Sequence, residues 1–250
     1  PATGLLIYQG APDSIGFHYY NGTTWIWLCP SSGGGNDWSL TGNTGTDTAI
    51  NFLGTTDNMP IRFKQGNEWL GQWNKSTGNY FIGEVAGKKT TSGLDNIGIG
   101  DSALNSITTG SRNTAIGSLA MTKSLIGSDN TMLGYNALNA GTSAFFNTGI
   151  GSHVLELNTT GDNNVAVGAL ALGQNTAGTA NTAIGLLALG TNAIGIDNTA
   201  LGSQSMLSNL TGNRNTALGS QALFNNLSGA ENTAVGTEAL YSNQSGTDNI

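Results

Sequence analysis

An asparagine returns every 17 residues, without a slip, from Asn79 to Asn249. Asn113, Asn181 and Asn215 are members of the series. A fixed period free of insertions makes each repeat one turn of a stacked structure, because so short a unit cannot bury its own apolar face and must lean on its neighbours. The expected fold is therefore a mainly β repeat solenoid, a parallel β-roll with one 17-residue repeat per turn.

Written from its asparagine, the repeat reads N-T-A-I-G-x-x-A-L-x-x-N-x-x-G-x-x. Glycine fills the fifth position throughout (Gly117, Gly185 and Gly219), and an aliphatic residue precedes it (Ile116, Ile184 and Leu218). Side chains alternate along a strand, so the second and fourth positions share one face and the first and third the other. We expect the fourth-position aliphatics and the ninth-position Leu or Met to form the core. The fifth glycine should turn the chain through a conformation closed to other residues. The Ala-Leu segment that follows fits a second short strand or a single helical turn. Asn158, Asn175, Asn192, Asn209, Asn226 and Asn243 stand three residues before a second glycine and read as turn residues. Stacking at ~4.8 Å per turn gives a rod on the order of 45–50 Å for ten turns. The asparagine column is expected to be an internal ladder of side-chain amides. So thin a core suggests an oligomer, with the small third-position residues, Ala183 among them, letting chains pack closely.

All five tryptophans lie early, at Trp25, Trp27, Trp38, Trp69 and Trp73. This asymmetry divides the chain into a Trp-rich attachment or collar region, 1–78, and a repeat region, 79–250. The first should be a small antiparallel β region. Asn21-Gly22 between two strand-like runs signals a hairpin, and Ile50–Leu53 reads as a further strand. The stop at Ile250, inside a repeat, leads us to expect that the array continues.

Charged residues make up only 9% of the chain and the formal net charge is −7. No basic cluster could neutralise a phosphate backbone, so nucleic-acid binding is not expected. Apolar runs fall far short of the ~20 residues of a membrane span. The lone Cys29 permits no internal disulfide, and His18 and His153 lack a cluster of metal-ligating partners, so no metal or cofactor is expected. No Ser/His/Asp or paired-carboxylate constellation appears, and the chain does not read as an enzyme.

The N-T-A-I-G…A-L…G pattern, as in Asn215–Gly219 with Ala222-Leu223, resembles the head repeats of trimeric autotransporter adhesins. Those carry S-V-A-I-G on a shorter period. The 17-residue version is similar to repeats of tail-fibre-type proteins of phages and of Bacteroidetes bacteria. Segments of the first region, Pro1–Tyr8, Tyr19–Trp25, Trp38–Asn43 and Asn51–Asn58, are similar to that group as well. The resemblance implies a homotrimer and a structural or adhesive role, with a cell-surface glycan or protein receptor and other fibre or baseplate proteins as partners. It implies an extracellular location on a virion tail or a bacterial surface appendage. It also implies that a self-cleaving chaperone domain could follow the repeats.

Four binding readings arise from the residues. Tyr20, Trp25, Trp27, Trp69 and Trp73 could stack on sugar rings, which makes a carbohydrate-binding module, with the repeats as spacer, the alternative to a fibre. Aromatics in a small β domain equally serve as core. The threonine column invites an ice-binding reading, against which stands its shared face with the aliphatics and hence its expected burial. Asp95, Asp129, Asp197 and Asp248 suggest a calcium array, but Arg112 and Arg214 interrupt that column. The asparagine column could itself bind a repetitive ligand, against the ladder reading above.

Overall fold

The computed structural model describes residues 3–4, 6–9, 16–28 and 52–250. Two compact units divide between Gly54 and Thr55. The first holds a three-stranded antiparallel sheet of β1 (Leu6–Gln9), β2 (Gly16–Tyr20) and β3 (Trp25–Leu28), in that order. Between β2 and β3, Gly22 takes a φ of 105°, and Asn21 Oδ1 accepts the backbone N–H groups of Thr23 and Thr24 at 2.9 and 2.8 Å. The side chain thus closes the turn that Asn-Gly announced.

The second unit is built on one 12-stranded sheet. It opens with β4 (Ile61–Gln65), β5 (Glu68–Asn74) and β6 (Asn79–Ile82), paired antiparallel. Parallel three-residue strands follow, from β7 (Ile97–Ile99) to β15 (Thr233–Val235). Each residue lies beside its counterpart one repeat away: Thr182, Ala183 and Ile184 pair with Thr199, Ala200 and Leu201. This is a β-solenoid with one repeat per turn. The hairpin β4–β5 covers the edge that the first parallel strand would expose, as terminal caps of repeat arrays do. The compositional boundary at residue 78 therefore falls within the sheet, and β4 and β5 belong with the repeats. Phe52 and Leu53, expected in a strand, lie outside any strand and are exposed. The loop beyond them closes on itself, with Thr55 Oγ1 donating to the Met59 carbonyl at 3.0 Å. Cys29 and Trp38 lie outside the described residues.

The core differs from the expectation in one respect. The fourth-position aliphatics face outward: Leu133, Ile150, Ile184 and Leu201 are 45, 42, 38 and 44% exposed. Ile116 and Leu218 are half-exposed. The buried face of each strand is instead the first and third positions, asparagine and a small residue. The coil is too narrow for bulk there. Where the third position is large, its neighbour shrinks. A Cβ on Gly98 would lie 2.9 Å from the Phe81 ring, and one on Gly149 would lie 2.7 Å from Met132 Sδ. Such pairing of large with small keeps the interior at constant density. The third-position alanines are consequently sealed inside one coil and cannot bring separate chains together.

From the other side, the eighth and ninth positions fill the interior. Ala188 and Leu189 are both fully buried although consecutive. Leu189 sits at φ 49°, and its counterparts Leu104, Met121, Leu155 and Leu223 are likewise left-handed. That conformation breaks alternation, so that neighbours can both point inward. Each such residue costs ~1–2 kcal/mol, and hydrogen bonds to adjacent turns hold it, as Leu189 N to the Ser205 carbonyl at 3.0 Å. The segment is a run of turns, neither strand nor helix.

Glycine at the fifth position is needed twice over. Gly185 has a φ of 139°, and a Cβ there would sit 2.6 Å from the Gly202 carbonyl carbon one turn on.

Candidate functional site

Two asparagine ladders run through the interior. In the first, Asn181 Nδ2 donates to Asn164 Oδ1 at 3.2 Å and to the Gly195 carbonyl at 2.8 Å. Its own Oδ1 accepts the backbone N–H and the Nδ2 of Asn198, both at 3.1 Å. Asn113 and Asn215 repeat this arrangement. These amides are buried and mutually satisfied, so the column has no free face for a repetitive ligand. The second ladder joins Asn158, Asn175, Asn192, Asn209, Asn226 and Asn243 through Nδ2-to-Oδ1 bonds of 2.8 to 3.0 Å. They are also the turn residues that the sequence announces, since Asn158 Nδ2 donates to the Gly161 carbonyl at 2.8 Å and Asn158 Oδ1 accepts the Gly161 N–H at 2.9 Å, but the ladder itself goes beyond that reading. The available signal was their strict spacing from residue 158 onward.

The outer face of the parallel sheet carries two columns, the second and fourth positions. Threonines of the first column are exposed or half-exposed, as Thr131 and Thr182 show, so their expected burial does not hold. The face is nevertheless no uniform threonine plane. Tyr80, Ile97 and Val165 interrupt the column, and aliphatics flank it throughout.

The five aromatic candidates are not brought together. Tyr20 and Trp25 pair across β2 and β3 with ring centroids 5.4 Å apart, and Trp25 is 38% exposed. The backbone of Trp27 pairs with His18, while its side chain lies outside the described residues. Trp69 and Trp73 belong to the second unit and take opposite faces of β5. Gly71, at φ 143°, sits between them and breaks the alternation. Trp73 is 42% exposed, packs edge-on against Phe63 at 5.0 Å and pairs with Tyr80, which places it at the head of the outer face. Trp69 is half-buried on the inner face and donates Nε1–H to the Ala86 carbonyl at 3.0 Å.

Two recesses stand out among the described residues. One, of about 250 Å3, lies at the capped end, where Arg62, Gln72, Asn74, Trp69, Thr77 and Asn79 meet the first turn. The other, of about 220 Å3, opens where the tenth position becomes Gly173 and Gly190, with Leu170 and Leu187 in its wall and Glu156 at its edge. Glu156 Oε2 is 2.8 Å from His153 Nδ1, and Asn136 Nδ2 donates to Glu156 Oε1 at 2.6 Å.

The acidic seventeenth-position column is solvent-exposed and partly neutralised within itself. Arg112 reaches one turn along to Asp129, with Nε and Nη2 bonds of 2.6 and 2.7 Å to its two oxygens. The hydrogen bond from Arg112 holds the Asp129 carboxyl below its ordinary value. Arg214 pairs likewise with Glu231. Among the described residues no group of three or more His, Cys, Asp or Glu side chains could hold a metal ion. Nor, among the described residues, is any helix long and apolar enough to cross a membrane. The chain matches no family model, no curated protein and no solved structure.

Proposed function

We propose that the chain is a segment of a structural fibre or adhesin whose repeats associate as a homotrimer through the outer sheet face. One observation carries this reading: the fourth-position aliphatics form a column that is outward-facing in every turn from Ile82 to Val235. Continuous apolar surface of that extent on a soluble protein marks an interaction site. Covering the exposed part of each side chain contributes on the order of 1 kcal/mol. Summed over the turns, this is comparable with the ~4–15 kcal/mol that association costs. The face keeps one register from turn to turn, so an identical face can lie along it. The number three comes from the resemblance to trimeric adhesin heads.

In this reading the rod holds a receptor-binding surface away from a virion tail or a bacterial surface, outside the cell. Its partners are further copies of the chain, other fibre or baseplate proteins, and a surface glycan or protein. The chain acts by position and contact, without a catalytic step. Sedimentation at micromolar concentration tests the proposal. A trimer mass for the wild type, lowered to a monomer by I184K with L201K at unchanged circular dichroism, is the expected result. A wild-type monomer sinks it.

The Tyr20–Trp25 pair, with Trp25 exposed and Tyr20 half-buried, favours a second reading, a carbohydrate-binding module in the first unit. A glycan array should then lose its signal with W25A, whereas an unchanged array profile removes that module.

A further inference from the structure

The capped end of the coil is where the first asparagine ladder begins, and a ladder's first rung cannot be completed from within. In later turns, Nδ2 donates both to a glycine carbonyl of its own turn and to the preceding asparagine's Oδ1, as in Asn96 with bonds of 2.9 and 3.2 Å. Asn79 makes only the first of these, to the Gly93 carbonyl at 2.7 Å. No asparagine precedes it in the column, so its second N–H is left over. Asn79 is 2% exposed and borders the cavity at this end. An amide N–H left unpaired at such a depth costs ~1–3 kcal/mol.

A second unsatisfied group borders the same space. Thr77 Oγ1 is the one buried side-chain polar atom among the described residues without any hydrogen-bond partner. Two residues that border one cavity thus each carry an incomplete polar group. A hydroxyl both donates and accepts, so Thr77 suits a ligand that carries hydroxyls.

Charge points the same way. The chain has eight Lys and Arg in all, and five of them, Arg62, Lys64, Lys75, Lys88 and Lys89, fall within residues 62–89. Arg62 and Lys88 border the cavity, and no Asp or Glu does. Neither cation forms an ion pair among the described residues. Against a net charge of −7 this is a local reversal of sign. Trp69 supplies an apolar wall and Gln72 a further amide. The volume, about 250 Å3, is below the ~300–1,000 Å3 of pockets for larger ligands and has room for one ring.

We propose that this cavity binds the ring of a carboxylated sugar of the hexuronate class. Its carboxylate faces Arg62 and Lys88, one hydroxyl oxygen accepts the spare Asn79 N–H, and another hydroxyl partners Thr77 once that side chain turns its Oγ1 toward the space. A bare phosphate would use the cations and leave the hydroxyl, the amides and the indole without a role. The site lies wholly within the second unit and goes beyond the fibre reading. It does not depend on trimerisation, since sedimentation reads one and titration the other.

Calorimetric titration of the full chain with sodium glucuronate, glucose and inorganic phosphate at fixed ionic strength tests it. Glucuronate should bind with a Kd in the millimolar range or tighter. Glucose should bind roughly tenfold more weakly, the value of one charge-assisted hydrogen bond. Phosphate should not displace glucuronate. T77V removes an unpartnered hydroxyl, so it should weaken glucuronate several-fold while leaving Tm unchanged or higher, and R62Q should weaken it by a similar factor. The proposal is overturned by absence of glucuronate binding, by equal binding of glucose, by displacement with phosphate, or by T77V and R62Q both binding as the wild type does.

Discussion

At the twelfth residue of each turn the early and late parts of the coil differ. The early turns carry Thr90, Ile107, Ser124 and Gly141, whereas from Asn158 to Asn243 every turn carries asparagine. Ile107 is as fully buried as Asn192. The backbone nevertheless continues in one register through both parts. The first ladder explains why. Its Nδ2 groups satisfy the buried glycine carbonyls in early and late turns alike, as Asn96 does Gly110 and Asn181 does Gly195. It also accepts the backbone N–H of the following asparagine. The second ladder's amides bond one another and also donate to glycine carbonyls that the first ladder already serves, as Asn192 does to Asn175 Oδ1 and to the Gly195 carbonyl. Such a column can be exchanged for apolar or small residues as a unit, because the carbonyls it shares keep their first-ladder donor, as Gly195 keeps Asn181. A column whose side-chain oxygens also take up a backbone N–H in turn after turn cannot.

The one departure at the second glycine obeys the same logic. In late turns a Cβ at that position would meet the nearby asparagine amide, 2.7 Å from Asn192 Nδ2 in the case of Gly178. Ala144 replaces glycine in the turn whose twelfth residue is Gly141, where no such amide exists.

Four experiments sharpen or break this comparison. Fifth-position glycines should be indispensable in both parts. G117V and G185V should each lose more than ~4 kcal/mol in urea unfolding, since both strain φ and strike the next turn. A tolerated G117V would mean that the early turns are laxer than their shared register implies.

Next in size, the two ladders should separate. N181A orphans the Asn198 N–H and the Asn198 amide and strips the Gly195 carbonyl of one donor, a predicted loss of ~3–5 kcal/mol. N192A leaves that carbonyl bonded to Asn181, so ~1–3 kcal/mol is expected. Equal losses in thermal or urea unfolding would refute the distinction between a wired and an exchangeable column.

Smaller still is the reciprocal exchange. I107N places a buried amide between Thr90 and Ser124, with no amide of its column on either side, and should cost ~1–3 kcal/mol. Adding T90N and S124N beside it should recover part of the loss by extending the ladder. Further destabilisation by the triple variant argues that the early turns exclude the amides on grounds of shape.

The least effect is expected from the surface ion pair. Asp129 has a lowered carboxyl pKa in the folded chain, so its contribution is present above the unfolded value and lost as pH falls through the folded one. R112Q should flatten the slope of Tm with pH slightly in the acid range and change almost nothing at neutral pH. A drop at neutral pH comparable to that of N192A would give the pair a weight its exposure denies.

From the spacing of Asn79 to Asn249 alone, the sequence determined the stacked coil, its turn length, its glycine corner and the internal amide column. A strict repeat leaves no other way to bury an aliphatic and an amide in every 17 residues. The Asn21-Gly22 hairpin was equally legible, because that dipeptide demands one turn geometry. Which face of each strand turns inward was decided only in the tertiary structure. Alternation separates two faces without ranking them, and the coil's narrow width selected Ala183 over Ile184. The left-handed Leu189, the opposite placement of Trp69 and Trp73, and the incomplete rung at Asn79 likewise arise from contacts between turns and with the cap, which local sequence does not contain.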